Sequence, residues 1–263
     1  MTDNLSISHD DRHVVTISIN RPEHFNVINE ATANDLRDNL RKLSKDSSIR
    51  AMVLTAEGKN FCRSVDPEWI QSYQNNDIDQ DNDPGSKIFT ILTELDNFPT
   101  PVIAAIRGDA LGVGAAMAAC SDIVVCESHS RFAINEVRAG LAPIASAPYI
   151  MSCIGAHNTR RWLLSGEYMT SDQAVEMGLA HINVDAENFE ATVADQIDIV
   201  LKGVTSAQKE TKQFIKDVCI HGHHESAAFQ RSSGVMFKRC LNSREAKKGI
   251  SEWVENKQAP WDK

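Results

Sequence analysis

Apolar and polar residues alternate over Val14–Asn20: Val15, Ile17 and Ile19 fall on one side, Thr16, Ser18 and Asn20 on the other. A period of two predicts a strand with one wet face, and Arg21-Pro22 ends it. The period then changes. Leu36, Leu40 and Leu43 stand at helical spacing behind Asn29, whose short side chain suits a helix N-cap. Ile49–Thr55 is apolar almost without interruption, which predicts a strand buried on both faces. Strand, helix, strand in this order is the crossover unit of an α/β domain.

Positions 71–87 are polar and acidic and predict a long loop lying over the fold. A helix is expected at about 86–97, then a buried strand in the run VIAAI behind Pro101, and a turn at Arg107-Gly108-Asp109. A helix of small residues at about 111–120 and short strands at Ile123–Val125 and Phe132–Ile134 follow. From about 156 the pattern is helical, and Thr170-Ser171-Asp172-Gln173 matches a capping box. Segments near 189–202, 205–219, 224–241 and 243–256 are amphipathic. The last carries Ala246, Ile250, Trp253 and Val254 along one stripe. Residues 1–200 therefore read as an α/β core and 201–263 as a C-terminal helical region. No internal sequence repeat is visible.

Composition narrows the function classes. With 42% hydrophobic residues in a chain of 263, a substantial core can be buried. The net charge of −9 disfavours a nucleic-acid backbone as partner. The apolar stretch at 101–126 is broken by Arg107, Asp109 and Asp122, so no membrane span is expected. The opening, MTDNLSISHDDRH, lacks a basic-then-apolar layout, and the six cysteines form no CxxC pair. Both point to a cytoplasmic protein with free thiols. No metal site is expected. Asp77, Asp79, Asp81 and Asp83 lack the glycine and glutamate of a calcium loop. Cys219, His221, His223 and His224 lack a second ligand pair at zinc spacing.

Three places could carry chemistry. Phe61-Cys62-Arg63-Ser64-Val65-Asp66 follows the buried strand at 49–55, and Gly108–Gly114 follows the buried strand at 102–106. A glycine-rich turn that opens a helix aims free N–H groups at one spot, which suits an anion or a developing oxyanion. The alternative is close packing of a small-residue helix on the sheet. Its GxxxGxG spacing and its position do not fit a dinucleotide-binding turn. The third place is Glu136, set between a short apolar strand and an apolar loop. Desolvation there would raise its pKa toward a range useful for proton transfer. The alternative is a surface ion pair with Arg138 or Arg131.

The order of segments along the chain resembles the crotonase, or enoyl-CoA hydratase/isomerase, family. The stretches that carry the resemblance are IxINRPEHFNVIN, AMVLTAEGKNFC, the turn at 61–66, PVIAAIRGDALGVGAAMAACSDIVV, FAINEVRAGLAP, RRWLLSGEYMTSDQAVEMGLAHIN and GISEWVENKQAPW. EVRAGLAPIASAPYI with IGAHNTRRWLLSGE is most similar to methylglutaconyl-CoA and carboxygeranoyl-CoA hydratases. The resemblance implies an α/β spiral of ββα units with a C-terminal helical trimerisation region. It implies an acyl-CoA thioester as substrate, with CoA part of that substrate and no separate cofactor. The backbone N–H groups of Val65 and Val113 would hold the thioester oxygen, with Glu136 as acid/base. His24, Val27 and Cys62 would line the path of the CoA arm, and Lys257 would reach its phosphates.

Departures from the family pattern shape the expectation. Arg63-Ser64 replaces Ala-Gly; a residue with a Cβ resists positive φ, which would change the angle of this turn. Val113 stands where glycine is usual. The first acid of the family's two-acid hydratases is Ala116 here, and a further acid of other branches falls on Ile144. Arg63, too costly to bury unpaired, is expected to face the CoA side. A one-acid site fits an enoyl-CoA hydratase, with a Δ3,Δ2-enoyl-CoA isomerase as alternative. A member that only binds acyl-CoA or a protein partner is the reading of another class. The resemblance implies a homotrimer or a dimer of trimers, and the apolar stripe on the last helix would supply an interface. Light scattering at micromolar concentration should give that mass; a monomer would contradict it.

Overall fold

The long apolar runs become the middle of one sheet. A computed structural model of the chain describes residues 4–72, 83–221, 243, 244 and 248. The strands in chain order are β1 (Leu5–His9), β2 (Val14–Ile19), β3 (Ala51–Ala56), β4 (Cys62–Arg63), β5 (Val102–Ile106), β6 (Asp109–Leu111), β7 (Ile123–Glu127), β8 (Arg131–Ala133), β9 (Met169–Thr170) and β10 (Ile182–Val184). The helices are α1 (Glu30–Leu43), α2 (Pro67–Ser72), α3 (Pro84–Asp96), α4 (Val113–Ala119), α5 (Ala147–Ser165), α6 (Ser171–Met177), α7 (Phe189–Leu201) and α8 (Thr205–His221).

Two sheets share these strands. The larger runs β1-β2-β3-β5-β7-β10, and the smaller runs β4-β6-β8-β9. Within the larger sheet only the β1–β2 pair is antiparallel. β3, β5 and β7 are each followed by a short strand, β4, β6 and β8, which pairs in parallel in the smaller sheet. The chain therefore winds as a spiral: each turn gives one strand to each sheet before the next element. This is the ββα spiral that the family resemblance implied, a structural repeat without a sequence repeat.

Both faces of the larger sheet are covered. Ile17, Met52, Leu54 and Ala104 pack toward α1, α3 and α4 through Leu36, Leu40, Leu92, Leu95 and Met117. Val14, Ala51, Val53, Ile103 and Val125 pack on the other side against Phe189, Val193 and Ile197 of α7. This corrects the expectation for β2. Val14 is buried under α7 and Ser18 is buried with its hydroxyl donating to Glu57, so the second face is partly covered, with Thr16 half-buried between them.

Local signals set several boundaries. Asn29 caps α1 by accepting from the Thr32 N–H, and Thr170 and Gln173 form the capping box of α6. Asp83, part of the acidic run, caps α3 by accepting from Gly85 and Ser86, with Pro84 in the first turn. α5 begins nine residues before the expected 156, with Pro148 tolerated in its first turn and a break at Gly155 (φ 73°). Asp109–Leu111 pairs as a strand where a turn and a helix start were expected. Within the expected C-terminal helical region α8 is described. The stripe of Ala246, Ile250, Trp253 and Val254, Lys257, and Asp77, Asp79 and Asp81 of the acidic run lie outside the described residues, as do the side chains of Cys219, His221, His223 and His224. Among the described residues no helix is long and apolar enough to cross a membrane.

One buried amide ties the loops beneath the site. Asn26 is fully buried with φ 55°; its Nδ2 donates to the Glu57 and Asn60 carbonyls, and its Oδ1 accepts from the Arg21 N–H. Asn26→Ala strands these groups without partners and should destabilise the fold by about 2–3 kcal/mol in chemical denaturation.

Candidate active site

Three segments end at one edge of the smaller sheet because β4, β6 and β8 pair side by side, Cys62 opposite Ala110 and Leu111 opposite Ala133. β4 runs into Ser64 and Val65. β6 runs into Gly112 and the first residue of α4, Val113. β8 runs into a short 3₁₀ turn, Glu136–Ala139, which opens with Glu136.

The backbone of the first turn is pinned from one side. Ile28 N–H donates to the Ser64 carbonyl and Asp66 N–H to the Ile28 carbonyl, both at 2.9 Å. A parallel bridge of this form pairs Ile28 with the residues on either side of Val65, so Val65's own N–H points away from it. Ser64 holds φ +80° without being glycine. The turn thus keeps its left-handed angle despite the loss of glycine, contrary to the expected change. In the second turn Gly112 adopts φ 52°, ψ −117°, and Val113 is the first helical residue, whose N–H has no acceptor within the helix.

Gly112 is where the segments meet. A methyl group placed on it would lie 2.1 Å from Ser64 Oγ and 2.9 Å from Glu136 Oε1. One placed on Gly114 would lie 2.5 Å from the Cys62 carbonyl oxygen. The spacing of these glycines therefore serves close approach of α4 to β4, and one of them also borders the carboxylate.

Val65, Val113 and Glu136 line one cavity of about 380 Å³, whose other walls include Ile70, Ile88, Leu141, Pro143 and Ile144. Val65 and Glu136 also border a second, more polar cavity of about 660 Å³, with Arg63, Ser64, Glu68 and Arg138 on its walls.

 The polar cavity is the one of about 660 Å³, and Val65, Glu136 and Leu141 stand between it and the apolar one. A hollow of about 510 Å³ adjoins the apolar cavity across residues 141–144; it lies against Leu163 and Leu164 and touches neither Val65 nor Glu136.

Among the described residues Glu136 makes no ion pair. Arg131 is bound at two points to Asp109, at 2.8 and 2.9 Å, and Arg138 donates to the Ser165 carbonyl. The Glu136 Oε2 atom is buried without a hydrogen-bond partner among the described residues. Burial pushes its pKa above the ordinary glutamate value.

The remaining expected residues are spread out. Arg63 pairs with Asp109 at 3.2 Å and lies over the Phe25 ring at 5.0 Å, while lining the polar cavity. Its charge is therefore already met from below, by a carboxylate it shares with Arg131. His24 is exposed at the end of a 3₁₀ turn, Val27 is half-buried, and neither borders the cavities described. Cys62 is a correction: its side chain is fully buried, its thiol is pushed up to about 12 by burial, and it cannot line a path for CoA. β4 alternates direction, so Cys62 turns into the core while Arg63 turns out. Asp109 is the functional neighbour that sequence reading missed. In the sequence it stands only as the last residue of the turn expected at Arg107-Gly108-Asp109, and its pairing with Arg131 needs strand register to be seen.

The matching family model, described as enoyl-CoA hydratase/isomerase, spans residues 9–263. The chain is 24% identical over 246 residues to the short-chain-enoyl-CoA hydratase of Clostridium acetobutylicum, covering 93% of this chain and 92% of that one. It is 29% identical over 199 residues to the 1,2-epoxyphenylacetyl-CoA isomerase of Escherichia coli, covering 73% of each. Among solved structures, an enoyl-CoA hydratase from Shewanella pealeana superposes with a TM-score of 0.91 at 22% identity, over 99% of this chain and 97% of that one. At that identity the likeness establishes the fold.

A raised pKa in the folded state has a defined sign. The folded protein holds the Glu136 proton more tightly than the unfolded chain, so ionisation of Glu136 lowers stability as pH rises through its shifted pKa. Paired thermal melts should therefore show Glu136→Gln more stable than wild type near neutral pH. The difference should shrink toward zero as pH falls below the ordinary glutamate value. A difference of opposite sign would contradict the buried placement.

Proposed function

The chain belongs to the enoyl-CoA hydratase/isomerase family, and on that premise we propose that it adds water across the 2,3 double bond of an acyl-CoA thioester. One observation carries this reading: Val65, Val113 and the half-buried Glu136 line a single cavity with otherwise largely apolar walls. The thioester oxygen sits against the Val65 and Val113 N–H groups. Water attacks C3 and gives a proton to Glu136, and the π electrons of the double bond move onto the thioester oxygen. The two N–H groups hold the enolate, each worth about 3 kcal/mol of barrier in sites of this kind. The enolate then collapses and C2 takes a proton, from Glu136 or from solvent.

The cavity also supports a substrate class. Its walls include Asp83, whose carboxylate accepts from Gly85 and Ser86, and, among the described residues, no lysine or arginine. An acyl group bearing its own carboxylate, as in methylglutaconyl-CoA, would find no cationic partner there. An uncharged acyl chain fits better. The single acid also favours a second reading, in which Glu136 carries a proton between carbons of a 3-enoyl thioester and no water is added. Homotrimeric or hexameric assembly is part of the same proposal.

A panel of charged and uncharged enoyl-CoA thioesters in H₂¹⁸O tests these readings. Hydration puts ¹⁸O into a 3-hydroxyacyl product, and isomerisation puts in none. Glu136→Gln should lose about 10²–10⁴ in kcat with CoA binding near wild type. Full activity in that variant would refute the assignment of Glu136. A wild type that binds CoA and turns over no thioester would favour a binding role.

A further inference from the structure

Ser64 is held in a conformation that serine resists. Its φ of +80° lies in the left-handed region, where a residue with a Cβ is less stable by about 1–2 kcal/mol than glycine would be. Three contacts keep it there: its carbonyl accepts from the Ile28 N–H and from the Cys62 thiol, and its side chain packs on Gly112. Strain that the surroundings maintain asks for a use.

The hydroxyl is placed beside the carboxylate. A methyl on Gly112 would lie 2.1 Å from Ser64 Oγ and 2.9 Å from Glu136 Oε1, so those two oxygens are within about 5 Å of each other. Both residues line the polar cavity. Two oxygens at up to that separation can be bridged by one water making hydrogen bonds of ordinary length. Ala116 on α4, where the family resemblance puts a second acid, is buried and offers only a methyl group.

We propose that the Ser64 hydroxyl is the second anchor of the attacking water. The proposal rests on the hydratase reading. Glu136 accepts one hydrogen of the water and Ser64 Oγ the other, which turns a lone pair toward C3. As the O–C3 bond forms, the O–H bond to Glu136 breaks and its proton goes to the carboxylate. The double-bond electrons move to the thioester oxygen. Ser64 neither gains nor loses a proton; it keeps hold of the hydrogen that stays on the new 3-hydroxyl.

Two substitutions separate this role from a structural one. Ser64→Gly removes the hydroxyl and the strain together, while Ser64→Ala removes the hydroxyl and keeps the strain. Both should lower kcat for hydration about 10- to 100-fold, the worth of one hydrogen bond, with KM within about threefold of wild type. Ser64→Gly should also melt higher than wild type, so that stability and turnover move in opposite directions. Wild-type kcat in both variants overturns the proposal, as does a change confined to KM. A fall in Ser64→Gly alone, with Ser64→Ala unchanged, overturns it too, because it traces to a loosened turn. If those results come from a wild type that hydrates enoyl-CoA, only the Ser64 role fails. If the wild type hydrates none, the hydratase reading fails and the Ser64 role with it.

Discussion

The parallel pairing of β4, β6 and β8 is the constraint on which the site depends. These strands have only two or three residues each, and none would persist alone. Each is held because it continues from a longer, buried strand of the larger sheet. The spiral therefore delivers Val65, Val113 and Glu136 to one edge from chain positions as far apart as 71 residues. Their relative placement is a property of register, and register is fixed by the burial of β3, β5 and β7.

Beneath that edge lies a second, electrostatic tie. Asp109 at the start of β6 is nearly buried, yet it is met by two arginines, Arg131 on the adjoining strand and Arg63 on the other side. A buried carboxylate without such partners would strongly disfavour the fold. Arg63 and Arg131 each cover an aromatic ring as well, Phe25 and Tyr168. Arg63, expected on the CoA side, thus joins Arg131 in holding the small sheet together, and it does so while keeping an open side to the polar cavity.

Glu136 has the reverse environment. It is half-buried, and among the described residues one oxygen lacks a partner and no cation pairs with it. That arrangement weakens the fold near neutral pH and raises the basicity of the carboxylate, as proton transfer near neutrality requires. Ser64 carries a related tension in its backbone. Stability given up at both places is supplied by the core on either face of the larger sheet.

The sequence by itself determined the elements whose cause is local or periodic. The alternation of β2, the uninterrupted apolar runs of β3 and β5, the Asn29 cap and the Thr170 capping box can each be read from a few adjacent residues. The order of motifs carried the family and, with it, Glu136, Val65 and Val113 as candidates. Tertiary structure decided what depends on pairing at a distance. β4, β6 and β9 are too short to show a period, so their existence followed only from their neighbours. Val14, on the side of β2 expected to be wet, is buried because α7, more than 170 residues later, packs against it. Cys62 turned inward and Arg63 outward because of the pleat, and Asp109 became the centre of an ion cluster because β8 lies beside β6. Ser64 kept positive φ because bonds from Ile28 and Cys62 outweigh the intrinsic preference of a residue with a Cβ. Local chemistry set the elements; the long-range register set which of their side chains meet.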